Sequence, residues 1–376
     1  MIKKIILKNF KTFEEESFEI APLTLITGIN GMGKSSIIQA LLLLKQNYEI
    51  KYIPNKVSML LKQDFIDLES AESLCYFKAD ERNICISITD EDSQKQVSTY
   101  RWELNASIAD NTELPYLYFG PDELDELPLF SPNFIFLGAE RWGPRREYEK
   151  RYERTYNTKL GIQGELTPAY LNNAVNINQE IGLLEMRNSF LSEGSTQLTE
   201  NVNAWMSQIM KLPIKTVANS VSDTKIKLEY KFGGNKGKSF SALQVGFGFT
   251  FVLPIIVALL QAKKGDLIII ENPEAHLHPA AQVELGLMVA HAVKQGVQVI
   301  LESHSDHILN SLRLARKTGV LEKEEDVNLI FVQRDLRSGT GISFIDEIKI
   351  KDNGKLTNRP ADFFDTWDGV LTKLIE

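Results

Sequence analysis

Three short runs rich in β-branched and apolar residues open the chain, IKKIIL (2–7), SFEI (17–20) and LTLIT (23–27), and the third leads straight into a glycine-rich turn. Apolar pieces of this length bounded by polar turns predict strands. From Ser36 to Tyr48 the apolar positions fall at helical spacing, so the local order is strand, loop, helix. Between 72 and 137 short strand-like pieces (SLCYF, NICISIT, STYRWEL, YLYF, NFIFLG) alternate with polar turns, which predicts a β-rich subdomain. Helical spacing returns from 164 to 212 and includes NVNAWMSQIMKL, KFGGNKGKS (231–239) reads as a hairpin or loop, and Ala242 to Leu260 reads as a buried helix. DLIIIENPE then gives a fully apolar strand, Pro279 to Lys294 a helix, and VQVILESHS a second apolar strand ending in a histidine. Continuous apolar strands alternating with helices belong to a parallel sheet covered on both faces. The predicted class is therefore α/β, a mixed or parallel sheet flanked by helices, with a β-rich subdomain and an inserted helical arm. There is no internal repeat, and the arm lacks sustained heptads, which excludes a long coiled-coil rod.

Composition narrows the function classes. At 376 residues, 43% of them hydrophobic, the chain can bury a sizeable core and reads as one large domain with an insertion. The formal charge of −8 excludes an overall basic field, so any nucleic-acid contact must come from a local patch or a partner. Cys75 and Cys85 form no CxxC pair and read as buried thiols in a reducing compartment. The apolar run in MIKKIILKNF is too short for a signal peptide, and Phe247 to Leu260 falls short of the roughly 20 residues a membrane helix needs. A soluble cytoplasmic protein is expected.

GINGMGKSS (28–36) matches GxxxxGK[ST] through Gly28, Gly33, Lys34 and Ser35. In such a loop the backbone N–H groups, those of Asn30, Gly31 and Ser36 included, wrap a phosphate, Lys34 reaches the β and γ oxygens and the Ser35 hydroxyl ligates Mg²⁺. LIIIENPE supplies a carboxylate, Glu271, at the end of an apolar strand, where the metal of a nucleotide site is supported. VGFGFT places Gly246 and Gly248 at a helix start, which exposes backbone N–H groups to an anion. His304 follows the next apolar strand on the same sheet edge, where a histidine can touch a γ-phosphate. Each also has an ordinary structural reading: an acidic strand end, a closely packed helix start, a lone structural histidine. Glu274, His276, His278, His304 and His307 lack the HExxH spacing of a metal site, and Ser303, His304 and Asp306 crowd one segment too closely for a triad.

These four pieces in this order resemble the ATPase heads of the ABC class in its SMC, RecF and OLD branch. IKKIILKNFKTF looks like the opening strand of that branch, and ENPEAHLHP is similar to small AAA-type ATPases in which that motif precedes a THS-like histidine motif and a short strand-rich tail. LGAERWGPR (137–145) and GIQGELTPAYL (161–171) belong to the same likeness. The resemblance implies an ABC-type P-loop ATPase head with residues 1–140 as its N-terminal part, 141–240 as the inserted arm and 241–376 as its C-terminal part. It implies ATP and Mg²⁺ as cofactors, with Gly28 to Ser36 as the Walker A loop, Glu271 as the Walker B carboxylate, Gly246 to Gly248 at the signature, His276 to His278 near the D-loop and His304 as the switch histidine. A signature works only on the nucleotide of a second subunit, so a homodimer enclosing two ATP, or a higher even oligomer, is implied. Proteins of this look often sit beside a nuclease in anti-phage systems of the Septu kind, which implies a separate nuclease or effector partner; no membrane is implicated.

Asn272 stands where that pattern has the glutamate that handles the attacking water. Asn can orient water but cannot take its proton, which predicts slow hydrolysis or reliance on Glu274. The signature also lacks its usual serine. Arg141, Arg145, Arg146, Lys150, Arg151 and Arg154 interleave with aromatic residues as a DNA or RNA contact would, yet Glu147 and Arg151 at i, i+4 equally make a salt-bridged helix. A RecF-like DNA-binding repair ATPase and a nucleotide-gated, non-catalytic scaffold are the competing functions. DNGKLTNRPADFFDTWDG resembles the tail of the nuclease-free type, so the chain is not expected to cut nucleic acid itself.

Overall fold

The computed structural model describes all residues except 93, 108–111, 151–158, 189–193, 234–236, 336–340, 361–362 and 365–376. In chain order the elements are β1 (Ile2–Phe10), β2 (Phe13–Glu19), β3 (Leu23–Gly28), α1 (Lys34–Glu49), β4 (Ser58–Leu60), α2 (Ala71–Leu74), β5 (Asn83–Glu91), β6 (Val97–Asn105), β7 (Glu113–Phe119), β8 (Ile135–Leu137) and β9 (Tyr148–Glu149). There follow α3 (Thr167–Asn176), α4 (Leu198–Met210), β10 (Ile214–Ser220), β11 (Lys225–Phe232), β12 (Lys238–Ser241), α5 (Phe247–Gln261), β13 (Leu267–Glu271), α6 (Pro279–Lys294), β14 (Gln298–Glu302), α7 (Asp306–Lys317), β15 (Val327–Arg334) and β16 (Ser343–Ile348). They form two compact units, Met1–Ser131 with Lys323–Glu376, and Pro132–Glu322. The α/β class expected from the sequence is the class observed.

The first unit holds a six-stranded antiparallel sheet ordered β2-β1-β5-β6-β7-β4. Its period-2 strands bury one face: Ile84, Ile86 and Ile88 pair with Leu104, Trp102 and Tyr100. The same unit carries β3 parallel to β15, with β16 antiparallel to β15. β3 is buried along its whole length, which is why LTLIT reads as a continuous apolar run. α1 follows the glycine turn, and its inner end is held by Lys45, which bridges to Glu49 at 2.6 Å and donates to the Ser131 carbonyl.

In the second unit β14, β13 and β8 run parallel, with Ile268 facing Val299 and Ile135. α5 is apolar on nearly every side and is correspondingly buried. Where the sequence reading expects a helical arm over 141–240, the structure holds α3, α4 and a four-stranded antiparallel sheet of β10, β11 and β12, with β9 paired to β11. The reason is periodicity: KIKLEYKF alternates, so Ile226, Leu228 and Tyr230 go inward while Lys225, Lys227 and Glu229 stay at the surface side. The β10 edge is closed by side chains from the two helices. Ser207 Oγ accepts from Ile214 N–H, Asn203 Oδ1 accepts from Thr216 N–H, and Asn172 Nδ2 donates to the Ala218 carbonyl. The charged stretch from Arg141 forms no helix up to Lys150, because Tyr148–Glu149 pairs as a strand with Lys225 and Ile226. Arg151 and Arg154 lie outside the described residues.

Candidate active site

The phosphate loop belongs to the first unit. Gly28, Gly31 and Gly33 all have positive φ, at 142°, 79° and 104°. Gly33 is the N-cap of α1 in the left-handed conformation, and a Cβ there would lie 2.5 Å from Thr12 Oγ1, so only glycine fits. A glycine cap brings no side-chain acceptor, and the first turn of α1 has no acidic residue. The Ser36 N–H bonds to the Gly33 carbonyl at 3.1 Å, and with no side-chain acceptor or acidic residue at this helix start its positive end suits an anion. Asn30 and Gly31 form the exposed tip, Ser35 is half-buried and Ser36 is buried. Lys34 is 4% exposed and its Nζ donates to the Ile29 carbonyl at 2.9 Å, which folds the ammonium back over the loop. All seven loop residues expected from the sequence thus share one local structure.

The second unit gathers its site residues at the carboxyl ends of β8, β13 and β14, the edge where open α/β sheets bind ligands. Glu271 ends β13 with Oε2 accepting from the Ala139 N–H at 3.0 Å. Burial pushes its carboxyl above the usual range, against the opposing pull of that N–H and of Arg141. Arg141 is 4% exposed; Nη1 donates to the carbonyls of Gly138 and Glu271, and Nη2 to that of Asn272 at 2.5 Å. This corrects the sequence expectation for Arg141: its guanidinium faces inward and organises the Glu271 strand end, leaving Arg145 and Arg146 as the exposed members of the basic cluster among the described residues. Arg145 stacks over the Trp142 ring at 3.8 Å. The internal role was readable only as position: Ala139 and Arg141 follow an apolar strand and so fall on the same edge as Glu271.

Asn272 has φ 44°, donates its N–H to the Glu302 carbonyl at 2.8 Å, and so has a backbone reason to be Asn, which tolerates the left-handed region. Glu274 accepts from Ser303 Oγ at 2.8 Å and from the His304 N–H at 2.9 Å, using both oxygens to hold the loop that follows β14. Both contacts tie the Glu274 carboxylate to the segment that carries His304. His304 itself is exposed, and Ser305 caps α7 by accepting from the His307 and Ile308 N–H groups. His278 caps α6 through Nδ1, and His276 packs its ring on Phe251 and Phe247. Gly246 is the exposed, extended N-cap of α5, with no side-chain cap. Gly248 is buried, and a Cβ on it would meet the His276 carbonyl at 2.7 Å, so its glycine is required by close packing inside the unit.

These donors fit Mg²⁺ and a nucleotide. Within the first unit the loop amides, Lys34 and the Ser35 hydroxyl suit a phosphate and a hard cation, and within the second a carboxylate whose ionised form is disfavoured by burial, as that of Glu271 is, gains from a cation. The raised carboxyl of Glu271 also sets a pH dependence of stability. Because its folded-state value lies above the unfolded one, the folded chain holds the proton more tightly, and that contribution is lost as pH rises through the folded value. Glu271→Gln is therefore expected to gain in melting temperature relative to wild type between pH 4 and pH 8 in nucleotide-free buffer; an unchanged difference across that range would contradict it.

A family model described as "AAA domain, putative AbiEii toxin, Type IV TA system" matches residues 23–310, and one described as "Protein of unknown function (DUF3696)" matches residues 323–374. The chain is 23% identical over 384 residues to an OLD nuclease of Thermus scotoductus (strain ATCC 700910 / SA-01); the match covers 90% of this chain and 65% of that protein, so this chain spans less than two thirds of its length. Among solved structures it is similar to an Smc head bound to the C-winged helix domain of ScpA, with TM-score 0.57 and 13% identity over 93% of this chain and 98% of that one. It is also similar to an Smc head domain with an extended coiled coil bound to the C-terminal domain of ScpA derived from Pyrococcus furiosus, with TM-score 0.57 and 12% identity over all of both chains. At these identities the structural likeness concerns the fold, which is that of a P-loop ATPase head.

Proposed function

We propose, from the premise that this chain belongs to that AAA domain family, that it is an ABC-type ATPase head which closes as a dimer around two ATP and thereby controls an effector that acts on nucleic acid. The observation that carries the reading is the phosphate loop: three positive-φ glycines, an α1 start without a side-chain cap, and Lys34 folded over its own loop carbonyl. In this reading the loop amides and Lys34 bind the phosphates, and Ser35 and Glu271 are the residues that would hold Mg²⁺, which when bound would supply positive charge to offset that of the phosphates. Glu274 fixes the His304 loop, and Arg141 with Ala139 fixes Glu271. Gly246 and Gly248 of one copy supply helix-start amides to the nucleotide of the other.

Asn272 makes turnover slow, since an amide orients water without taking its proton. The insertion over 141–240 is the surface for a partner, with the exposed Arg145 and Arg146 available to a phosphate backbone. The effector is a separate nuclease, the setting is cytoplasmic, and the biological role is anti-phage defence. No described helix is long and apolar enough to cross a membrane.

Light scattering on the eluting protein tests this. Mg-ATP is expected to double the mass of wild type, and Asn272→Glu to turn over ATP at least about tenfold faster while shortening the life of the dimer, because Glu can act as the general base. The left-handed backbone at that position costs the variant about 1 kcal/mol of stability. A wild-type mass indifferent to Mg-ATP would reject the dimer, and a variant no faster than wild type would reject the role given to Asn272.

A further inference from the structure

The segment that matches the second family model reaches the phosphate loop at two points, both inside the first unit. β15 runs beside β3 with Val332 opposite Gly28, and its carbonyl oxygen lies 2.3 Å from where a Gly28 Cβ would be. β16 begins at Ser343, which is 2% exposed. The Ser343 N–H donates to the Thr12 carbonyl at 2.9 Å, and its hydroxyl donates to the Met32 carbonyl at 2.7 Å. One serine therefore ties the C-terminal hairpin both to the β1–β2 turn and to the apex of the loop. The hairpin is itself pinned, with Asp335 N–H on the Ile342 carbonyl and Arg334 Nε on the Gly341 carbonyl.

The Met32–Gly33 peptide is trans, so its N–H points opposite to its C=O. With the Met32 carbonyl fixed on the Ser343 hydroxyl, the Gly33 N–H is turned away from β16. A phosphate loop binds through such amides, and a peptide plane free to flip would present a carbonyl to the phosphate instead. We propose that Ser343 is a positioning residue for the phosphate loop, and that the C-terminal hairpin serves as a brace which holds the Gly33 amide in its binding orientation. This inference rests on the reading of the loop as the ATP phosphate site.

The test measures Mg-ATP affinity by calorimetry, phosphate release at saturating ATP, and nucleotide-free melting temperature on the full chain. Loss of one buried hydrogen bond that orders the loop is expected to weaken ATP binding by about five- to tenfold in Ser343→Ala. Maximal turnover should stay within about twofold, since a binding contact common to ground and transition states affects affinity alone. Ser343→Thr, which keeps the hydroxyl, should recover most of the affinity. If Ser343→Ala does not fold, Ser343→Cys, isosteric with a weaker donor, is read in its place and should show the same loss. Affinity equal to wild type in the folded variant overturns the brace. Lys34→Ala separates the two levels: if it loses ATP binding while Ser343→Ala does not, the brace alone has failed, and if Lys34→Ala binds ATP as wild type does, the phosphate-site reading fails and the brace with it.

Discussion

Lys34→Ala is expected to lower phosphate release from ATP by at least about 100-fold and ATP affinity by about 10- to 100-fold, with the nucleotide-free melting temperature close to that of wild type. The ammonium is held over the loop by the Ile29 carbonyl at 2.9 Å. Removing it takes away the one side-chain cation of the loop and so weakens stabilisation of the charge that builds on the γ-phosphoryl oxygens during transfer. The loop geometry is set by its glycines and by Ser343, so the fold should survive. Calorimetric titration with Mg-ATP and a coupled phosphate assay measure both quantities. A variant with undiminished turnover would place ATP hydrolysis elsewhere than this loop.

Arg141→Ala is expected to cost about 3–5 kcal/mol, the range for leaving a buried charge without its partner. Three carbonyls, those of Gly138, Glu271 and Asn272, lose their donor, and the buried Glu271 carboxylate loses the cation that opposes its desolvation. For a protein of this size the melting temperature should fall by on the order of 10 °C. Arg145→Ala, at an exposed residue stacked on Trp142, should cost no more than about 1 kcal/mol. Differential scanning calorimetry of the two variants tells the roles apart. Were Arg141 a phosphate-backbone contact, its loss would leave the melting temperature unchanged and reduce the salt dependence of nucleic-acid binding by about one unit of slope.

The sequence by itself determined the parts governed by local rules. The phosphate loop is legible because a left-handed turn demands glycine and because strand and helix announce themselves by their spacing within a few residues. Glu271 and His304 are legible as ends of apolar strands on one edge of a parallel sheet, and the α/β class follows from the same strands. The sheet of β10 to β12 was legible in the alternation of KIKLEYKF, but the flanking helical spacing outweighed it in the reading of the whole insertion. Asn272 is a departure in sequence terms and a conformational match in structural ones, since its φ of 44° suits Asn. Glu274, an alternative base by spacing, is engaged on both oxygens. Arg141 sits in a basic, aromatic stretch that reads as a surface, yet it closes on Glu271, 130 residues along the chain. Ser343 carries no motif at all and reaches Met32 across 311 residues. Local backbone preferences and periodicity act over a turn or a strand and leave their trace in adjacent letters; which polar side chain is buried, and which carbonyl it meets, depends on packing between segments far apart in sequence, and only the tertiary structure decides that.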